Sequence, residues 1–295
     1  MDKVKTIQCS PGIALAYRDE GLGTPILLVH GWGVSGALFK AQIDGLSDRY
    51  RLIAPDLPGH GASGVFPANG SFSILADNIA ELVSELDLKN VVLAGWSLGA
   101  MISWDLLLRY PELDIAGLVT IDMVPRLLSE QDWQYGLRSG SGIHVFDPHV
   151  EAMNTNWPEF ATQFVRNMFS SLPDAQTQEL TDSSCAVALS NDPGSLAQIW
   201  MRMAEQDFRE SLPGIAIPAL IMAGQHSQLY SVTASEWVAS RMPQARLIKF
   251  SRSGHAPHME EPERFNRLLT DFVDSVVSKQ NPNTQFAAQA SEKTK

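Results

Sequence analysis

The pentapeptide Gly95-Trp96-Ser97-Leu98-Gly99 constrains this chain more than any other stretch, because of what flanks it. Before it runs Val91-Val92-Leu93-Ala94, an apolar segment of strand length. After it comes Ala100-Met101-Ile102-Ser103-Trp104-Asp105-Leu106-Leu107-Leu108, spaced as a helix. A buried strand that turns directly into a helix crowds the backbone, so glycine is needed on both sides of the serine. The serine is left on a strained turn with its hydroxyl exposed. A parallel sheet covered by helices is the architecture in which a buried strand feeds a helix this way.

The same alternation recurs along the chain. Apolar runs bounded by turn residues predict strands over 13–18, 25–30, 51–55, 90–95, 116–122, 217–223 and 246–250. Helical periodicity predicts helices over 71–86, 98–110, 233–242 and 262–278, the first with Ile74, Leu75, Ile79, Leu82, Val83 and Leu86 on one stripe. The expected fold class is therefore α/β, with a mostly parallel central sheet and helices on both faces. Between Val124 and Leu212 the strand rhythm stops for longer than a loop can account for. That interval, with Trp133, Tyr135, Phe146, Trp157, Phe160, Phe164, Met168, Phe169, Trp200, Met201 and Met203 at helix-compatible spacings, reads as a helical cap inserted between two strands. Most of its aromatics are expected to pack cap onto core, and a minority to line a pocket over Ser97. The expected organisation is a core of 1–123 and 213–278, a cap of 124–212 and a disordered tail of 279–295.

Charge and composition exclude several function classes. There are 22 Lys and Arg against 33 Asp and Glu, a net charge of −11, with no basic block that would form the electrostatic footprint of a nucleic-acid binder. No apolar run approaches the roughly 18 residues that span a bilayer, and Met1-Asp2-Lys3-Val4-Lys5 is not the apolar core of a signal peptide. A soluble, cytoplasmic protein is expected. Cys9 and Cys185 lie far apart without metal-ligand spacing, so no disulfide framework, metal or cofactor is expected.

A serine hydroxyl is a poor nucleophile at neutral pH and needs a base, a group that orients the base, and donors for the developing oxyanion. The candidate base is His255, in Ser253-Gly254-His255-Ala256-Pro257, just past the last predicted strand and so at the same sheet edge as Ser97. His258, three residues on, is expected to be a satisfied loop or cap-facing residue. Val29-His30-Gly31-Trp32-Gly33 closes the strand over 25–30, and its glycines let the backbone turn the Trp32 N–H toward Ser97. The N–H of Leu98, at the start of the helix, is the second expected oxyanion donor.

Together, His30-Gly31-Trp32-Gly33, Asp56-Leu57-Pro58-Gly59-His60-Gly61-Ala62-Ser63, Gly95-Trp96-Ser97-Leu98-Gly99 and Gly254-His255 resemble the α/β-hydrolase superfamily. Within it the chain is most similar to the carboxylesterases that hydrolyse pimeloyl carrier-protein methyl esters. The resemblance implies an α/β-hydrolase fold, a catalytic triad and an oxyanion hole. It also implies that Asp56, His60 and Ser63 form a structural turn rather than catalytic groups.

The chain departs from the pattern at the acid. Relatives carry an Asp three residues after the glycine that ends the strand Leu220-Ile221-Met222-Ala223-Gly224, and here that place holds Ser227. Asp122, at the end of the strand over 116–122, is the expected replacement, since some relatives take their acid from this strand end. The competing account is a dyad in which Ser227 or a water orients His255 and Asp122 is structural.

The expected function is a cofactor-independent serine hydrolase that cleaves a carboxylic ester or thioester through an acyl-enzyme on Ser97. One alternative is a thioesterase or acyltransferase serving an acyl carrier protein or CoA, with the cap arginines Arg138, Arg166, Arg202 and Arg209 as carrier contacts. Another is a non-catalytic, ligand-binding homologue. The expected partner is a small-molecule ester or thioester, with an acyl carrier protein under the first alternative.

Overall fold

A computed structural model describes residues 4–138, 146–170, 172 and 175–280. Eight strands form one sheet: β1 (Lys5–Cys9), β2 (Ile13–Glu20), β3 (Pro25–Val29), β4 (Arg51–Pro55), β5 (Val91–Trp96), β6 (Ile115–Ile121), β7 (Ala219–Gly224) and β8 (Ala245–Phe250). Their spatial order is β1-β2-β4-β3-β5-β6-β7-β8. β2 runs antiparallel to β1 and β4, and every pair from β4 onward is parallel. The four middle strands β3, β5, β6 and β7 are buried along their whole length, as expected of continuous apolar runs covered on both faces. The edge strand β1 was not predicted. Lys5-Thr6-Ile7-Gln8-Cys9 is mostly polar and exposed, and it is a strand because β2 offers it a full register of pairings.

Helices α1 (Lys40–Leu46), α2 (Ser73–Glu85), α3 (Leu98–Arg109), α8 (Val232–Arg241), α9 (Pro257–Glu260) and α10 (Pro262–Gln280) accompany the sheet. α2 buries Leu75, Ile79, Leu82 and Val83, four of the six predicted stripe residues. Each such side chain contributes about 1.5–3 kcal/mol of transfer free energy before its ordering entropy is counted. Between Ile121 and Ala219 the described residues add no strand to the sheet and include α4 (Phe146–Thr155), α5 (Trp157–Met168), α6 (Ala175–Leu189) and α7 (Pro193–Ala204). The expected tail of 279–295 lies outside the described residues except for its first two positions, which end α10. Among the described residues no helix is long and apolar enough to cross a membrane.

Parallel strand ends deliver the candidate residues to one edge. Register pairs Trp96 with Ile121, so Ser97 and Asp122 leave adjacent strands side by side. The Ser97 N–H donates to Ile121 O at 3.0 Å, and the Asp122 N–H to Met222 O at 2.8 Å, which continues the ladder into β7.

Candidate active site

Ser97 has φ 54° and ψ −119°, a conformation that L-residues rarely adopt, and it forms the hinge between β5 and α3. The two flanking glycines are forced by close backbone approach. A Cβ at Gly95 would stand 2.3 Å from Gly99 O, and one at Gly99 only 2.0 Å from Val29 O. Asp122 also has positive φ, 43°, at the end of β6. A non-glycine residue held there costs of order 1–3 kcal/mol, so its surroundings must hold it in place.

His255 follows β8 and is 1% exposed. Its Nδ1 lies 2.7 Å from Asp122 Oδ2. The Ser227 hydroxyl donates to that same oxygen, also at 2.7 Å. Two of the alternatives for orienting His255 are thus joined in one network, with the carboxylate in direct contact and Ser227 behind it. The loop carrying His255 is fixed from three sides. Trp96 Nε1 donates to His255 O at 2.8 Å, the His255 N–H donates to Met168 O at 2.8 Å, and the Gly254 N–H donates to Glu260 Oε2 at 2.7 Å. Glu260 Oε1 accepts from the Ser170 N–H at 2.7 Å, so one carboxyl group ties the end of α5 to the His255 loop. Burial pushes the Glu260 carboxyl up to about 7, against the pull of those backbone donors.

The loop after β3 lies against Ser97: a Cβ on Gly31 would come 3.2 Å from the Ser97 Cβ. Two buried histidines hold this loop. The Leu57 N–H donates to His30 Nε2 at 2.9 Å, which leaves Nδ1 as the protonated nitrogen and donor to Gly31 O at 2.7 Å. The Gly33 N–H donates in turn to His60 Nε2 at 3.0 Å. Burial holds His30 down to about 4 and His60 to about 3, so both rings are neutral at pH 7. Gly31 O and the Trp32 N–H belong to one planar trans peptide and point in opposite directions. By holding the carbonyl, His30 therefore sets the direction of the N–H. Leu98 is the first residue of α3, and first-turn N–H groups of a helix have no partner within the helix.

The Trp32 side chain does something the sequence did not indicate. Its ring is 2% exposed and packs against Phe164 and Trp200, with centroids 4.8 and 5.0 Å away, while Nε1 donates to Leu196 O at 2.9 Å. The residue that carries a candidate oxyanion N–H is also the hub joining core to inserted helices.

Asp56, His60 and Ser63 take structural partners. Asp56 accepts from the Gly36 and Ala62 N–H groups and from Arg18, and Ser63 Oγ accepts from the Ala16 N–H. The expectation for His258 is corrected. It lies under Trp96, with centroids 4.6 Å apart, and neither ring nitrogen has a hydrogen-bond partner among the described residues. Burial pushes it down to about 3. The short α9 turns it inward, which its loop-like sequence did not reveal.

Tyr230 was also missed. Three residues after Ser227, it is 3% exposed, and its ring stands edge-on to His255 with centroids 5.5 Å apart. Burial and the nearby charge of Asp122 hold its phenol above the ordinary range. A lone tyrosine in a polar loop carries no sequence signal of such a position.

Several known proteins are similar to this chain in sequence and in fold. The pimeloyl-[acyl-carrier protein] methyl ester esterase of Aromatoleum aromaticum is 30% identical over 258 residues, 84% of this chain and 97% of that protein. Among solved structures, an esterase from Exiguobacterium antarcticum superposes with a TM-score of 0.85 at 26% identity, covering 92% of this chain and 100% of that one. A putative aryl esterase from Burkholderia cenocepacia gives 0.80 at 30% identity, covering 94% and 100%. The alpha/beta hydrolase family model matches residues 26–268, most of the sequence, and the chain belongs to that family.

Proposed function

We propose that the protein is a serine hydrolase of carboxylic esters, with Ser97 as nucleophile, His255 as general base and acid, and Asp122 as the orienting acid. Ser97 Oγ attacks the carbonyl carbon while its proton passes to His255 Nε2. The N–H groups of Trp32 and Leu98 receive the charge that develops on the carbonyl oxygen. His255 returns the proton to the departing alcohol, and water then releases the acyl group by the same steps in reverse order.

The observation that carries this reading is the 2.7 Å contact between His255 Nδ1 and Asp122 Oδ2, beside a serine held on a left-handed turn. Such a contact fixes the imidazole tautomer and stabilises the imidazolium during transfer. The esterase relatives support an ester as substrate.

A carrier-protein-linked ester or thioester is the second reading, supported by the name of the pimeloyl-[acyl-carrier protein] methyl ester esterases. The expected carrier contacts support it less. Arg202 pairs with Glu205, and Arg209 pairs with Asp132 and Asp207, so two of the four arginines have their charge already neutralised.

Fluorophosphonate labelling followed by peptide mass spectrometry tests the reading. Rapid modification of Ser97 that disappears in His255→Ala is expected. A folded protein that neither labels nor turns over any ester or thioester would be a ligand-binding homologue instead.

A further inference from the structure

His255 is carried by a turn wedged between a strand end and a helix end. A Cβ on Gly254 would press into Phe169 C and stand 2.5 Å from Ser170 N, just past α5, and one on Gly224, at the end of β7, would run into Gly254 O. Glycine is required at 254, yet it leaves the chain that enters His255 a wide choice of backbone angles. Hydrogen bonds make that choice. The His255 N–H donates to Met168 O and Trp96 Nε1 donates to His255 O, both at 2.8 Å. The Gly254 N–H donates to Glu260 Oε2 at 2.7 Å, while Oε1 of the same group takes the Ser170 N–H, also at 2.7 Å.

We propose that Glu260 is a positioning residue for the reaction, whose carboxyl group clips the end of α5 to the Gly254-His255 turn, so that the base is aligned with Ser97 only while α5 is seated. This rests on the assignment of Ser97 and His255 as nucleophile and base. Glu260 acts through the main chain and transfers no proton. A carboxyl group suits the task because two N–H donors converge on it and each of its oxygens accepts one. A glutamine has a single acceptor oxygen and would turn its NH2 group toward the other donor.

α5 touches both sides of the site. Phe160 and Phe164 on α5 pack against the Trp32 ring, whose main chain carries a candidate oxyanion donor, and residues 168–170 hold the base. Gln228, in the loop after β7, secures the same end of α5 by donating from Nε2 to Phe169 O at 3.1 Å. A base must lie within hydrogen-bond reach of the proton it takes, and a misplacement of about 1 Å can cost about 10²-fold in rate. Acylation and deacylation both use His255, so a misplaced base slows both and leaves KM nearly unchanged.

The experiment compares wild type, Glu260→Gln and Gln228→Met by steady-state kinetics on a p-nitrophenyl ester and by proton NMR of the hydrogen between His255 Nδ1 and Asp122, identified as the downfield resonance lost in Asp122→Asn. Glu260→Gln is expected to lower kcat about tenfold or more, with KM within about twofold, and to shift or broaden that resonance. Gln228 is exposed, so Gln228→Met should fold, act in the same direction by a smaller factor, and carry the test if Glu260→Gln does not fold. A merely structural carboxyl group would lower the melting temperature and leave kcat and the resonance where they are. That outcome in folded Glu260→Gln would overturn the proposal, as would a fall in kcat with the resonance unmoved, or, should Glu260→Gln not fold, a Gln228→Met protein unchanged in both. Undiminished turnover in His255→Ala would instead defeat the assignment of the base, a result distinct from any of these.

Discussion

Ser227 donates its hydroxyl to Asp122 across 2.7 Å, and it does so from the position where the resemblance to the α/β-hydrolase superfamily implies an acid. The same Asp122 oxygen faces His255 Nδ1. The loop after β7 and the end of β6 are therefore close enough for either to carry the carboxylate. A second carboxylate at 227 would meet Asp122 at hydrogen-bonding distance and be repelled. A serine there supplies a donor to the acid.

Exchange of the acid between strands follows from that distance. Asp122→Asn should lower kcat by about 10⁴, the cost of losing an orienting carboxylate, in a protein that remains folded. Asp122→Asn with Ser227→Asp should recover a tenfold or larger part of that loss. Ser227→Ala alone removes one hydrogen bond to a charged group and should cost about tenfold. Steady-state kinetics on a p-nitrophenyl ester decide the matter. Near-normal turnover in Asp122→Asn together with a large loss in Ser227→Ala would make Ser227 the orienting group.

Acid should destabilise the fold through its buried histidines. His30, His60 and His258 are held near 4, 3 and 3 by burial, below the unfolded value of about 6.5. Between pH 6.5 and 4 the unfolded chain binds protons on these rings that the native state refuses, so stability falls as pH falls. Glu260 acts in the opposite sense. Raised to about 7, it is protonated in the native state and ionised in the unfolded chain above about 4.5. The net difference near pH 5.5 is about two protons, a loss of about 2–3 kcal/mol per pH unit. Urea unfolding at pH 6 and 5 measures it. His258→Leu should reduce the slope by one proton and Glu260→Gln should increase it by one. A flat profile would mean that the native state protonates these rings.

The middle strands were legible because they are buried along their whole length and so read as continuous apolar runs. The strand that was missed is the edge strand Lys5–Cys9, whose composition follows solvent rather than pairing. Ser97, His255, Asp122 and the Gly31-Trp32-Gly33 turn were legible because each sits at a strand end where chain direction brings side chains to one edge. Tyr230 and Glu260 were not, since their positions depend on how a loop folds back and on contacts with residues distant in sequence. The inward face of His258 was hidden for the same reason. Its packing partners are Trp96, Phe39 and Phe265, which come from three separate parts of the chain.

His30 offers a test of the oxyanion assignment that leaves the donors themselves in place. Because it holds Gly31 O, His30→Ala should free the Gly31–Trp32 peptide to rotate and misdirect one N–H. Loss of one oxyanion donor costs about 10²–10³ in kcat, and a misdirected donor should approach that with little change in KM. Kinetics should be read alongside a thermal melt, because the variant also orphans the Leu57 N–H. If kcat is unchanged in folded His30→Ala, the Trp32 N–H is either held by other contacts or not used.

Trp32 joins the helices between β6 and β7 to the sheet through its side chain, and its substitution should therefore alter both stability and substrate choice. Trp32→Ala removes a buried ring from among Trp157, Phe160, Phe164 and Trp200 and should cost about 3–5 kcal/mol. Trp32→Phe keeps most of the ring contact and removes the indole hydrogen bond to Leu196 O, a carbonyl inside α7 that keeps its helical donor, at about 0.5–1.5 kcal/mol. The backbone N–H at position 32 is unchanged in both variants. Surviving Trp32→Ala enzyme should therefore retain the acyl-transfer chemistry while favouring bulkier acyl groups, because the ring and the candidate oxyanion N–H belong to the same residue. Comparing kcat/KM for a short and a bulky acyl p-nitrophenyl ester gives the readout. An equal fall for both, with no change in their ratio, would place the Trp32 ring away from the acyl group and leave it a purely structural joint.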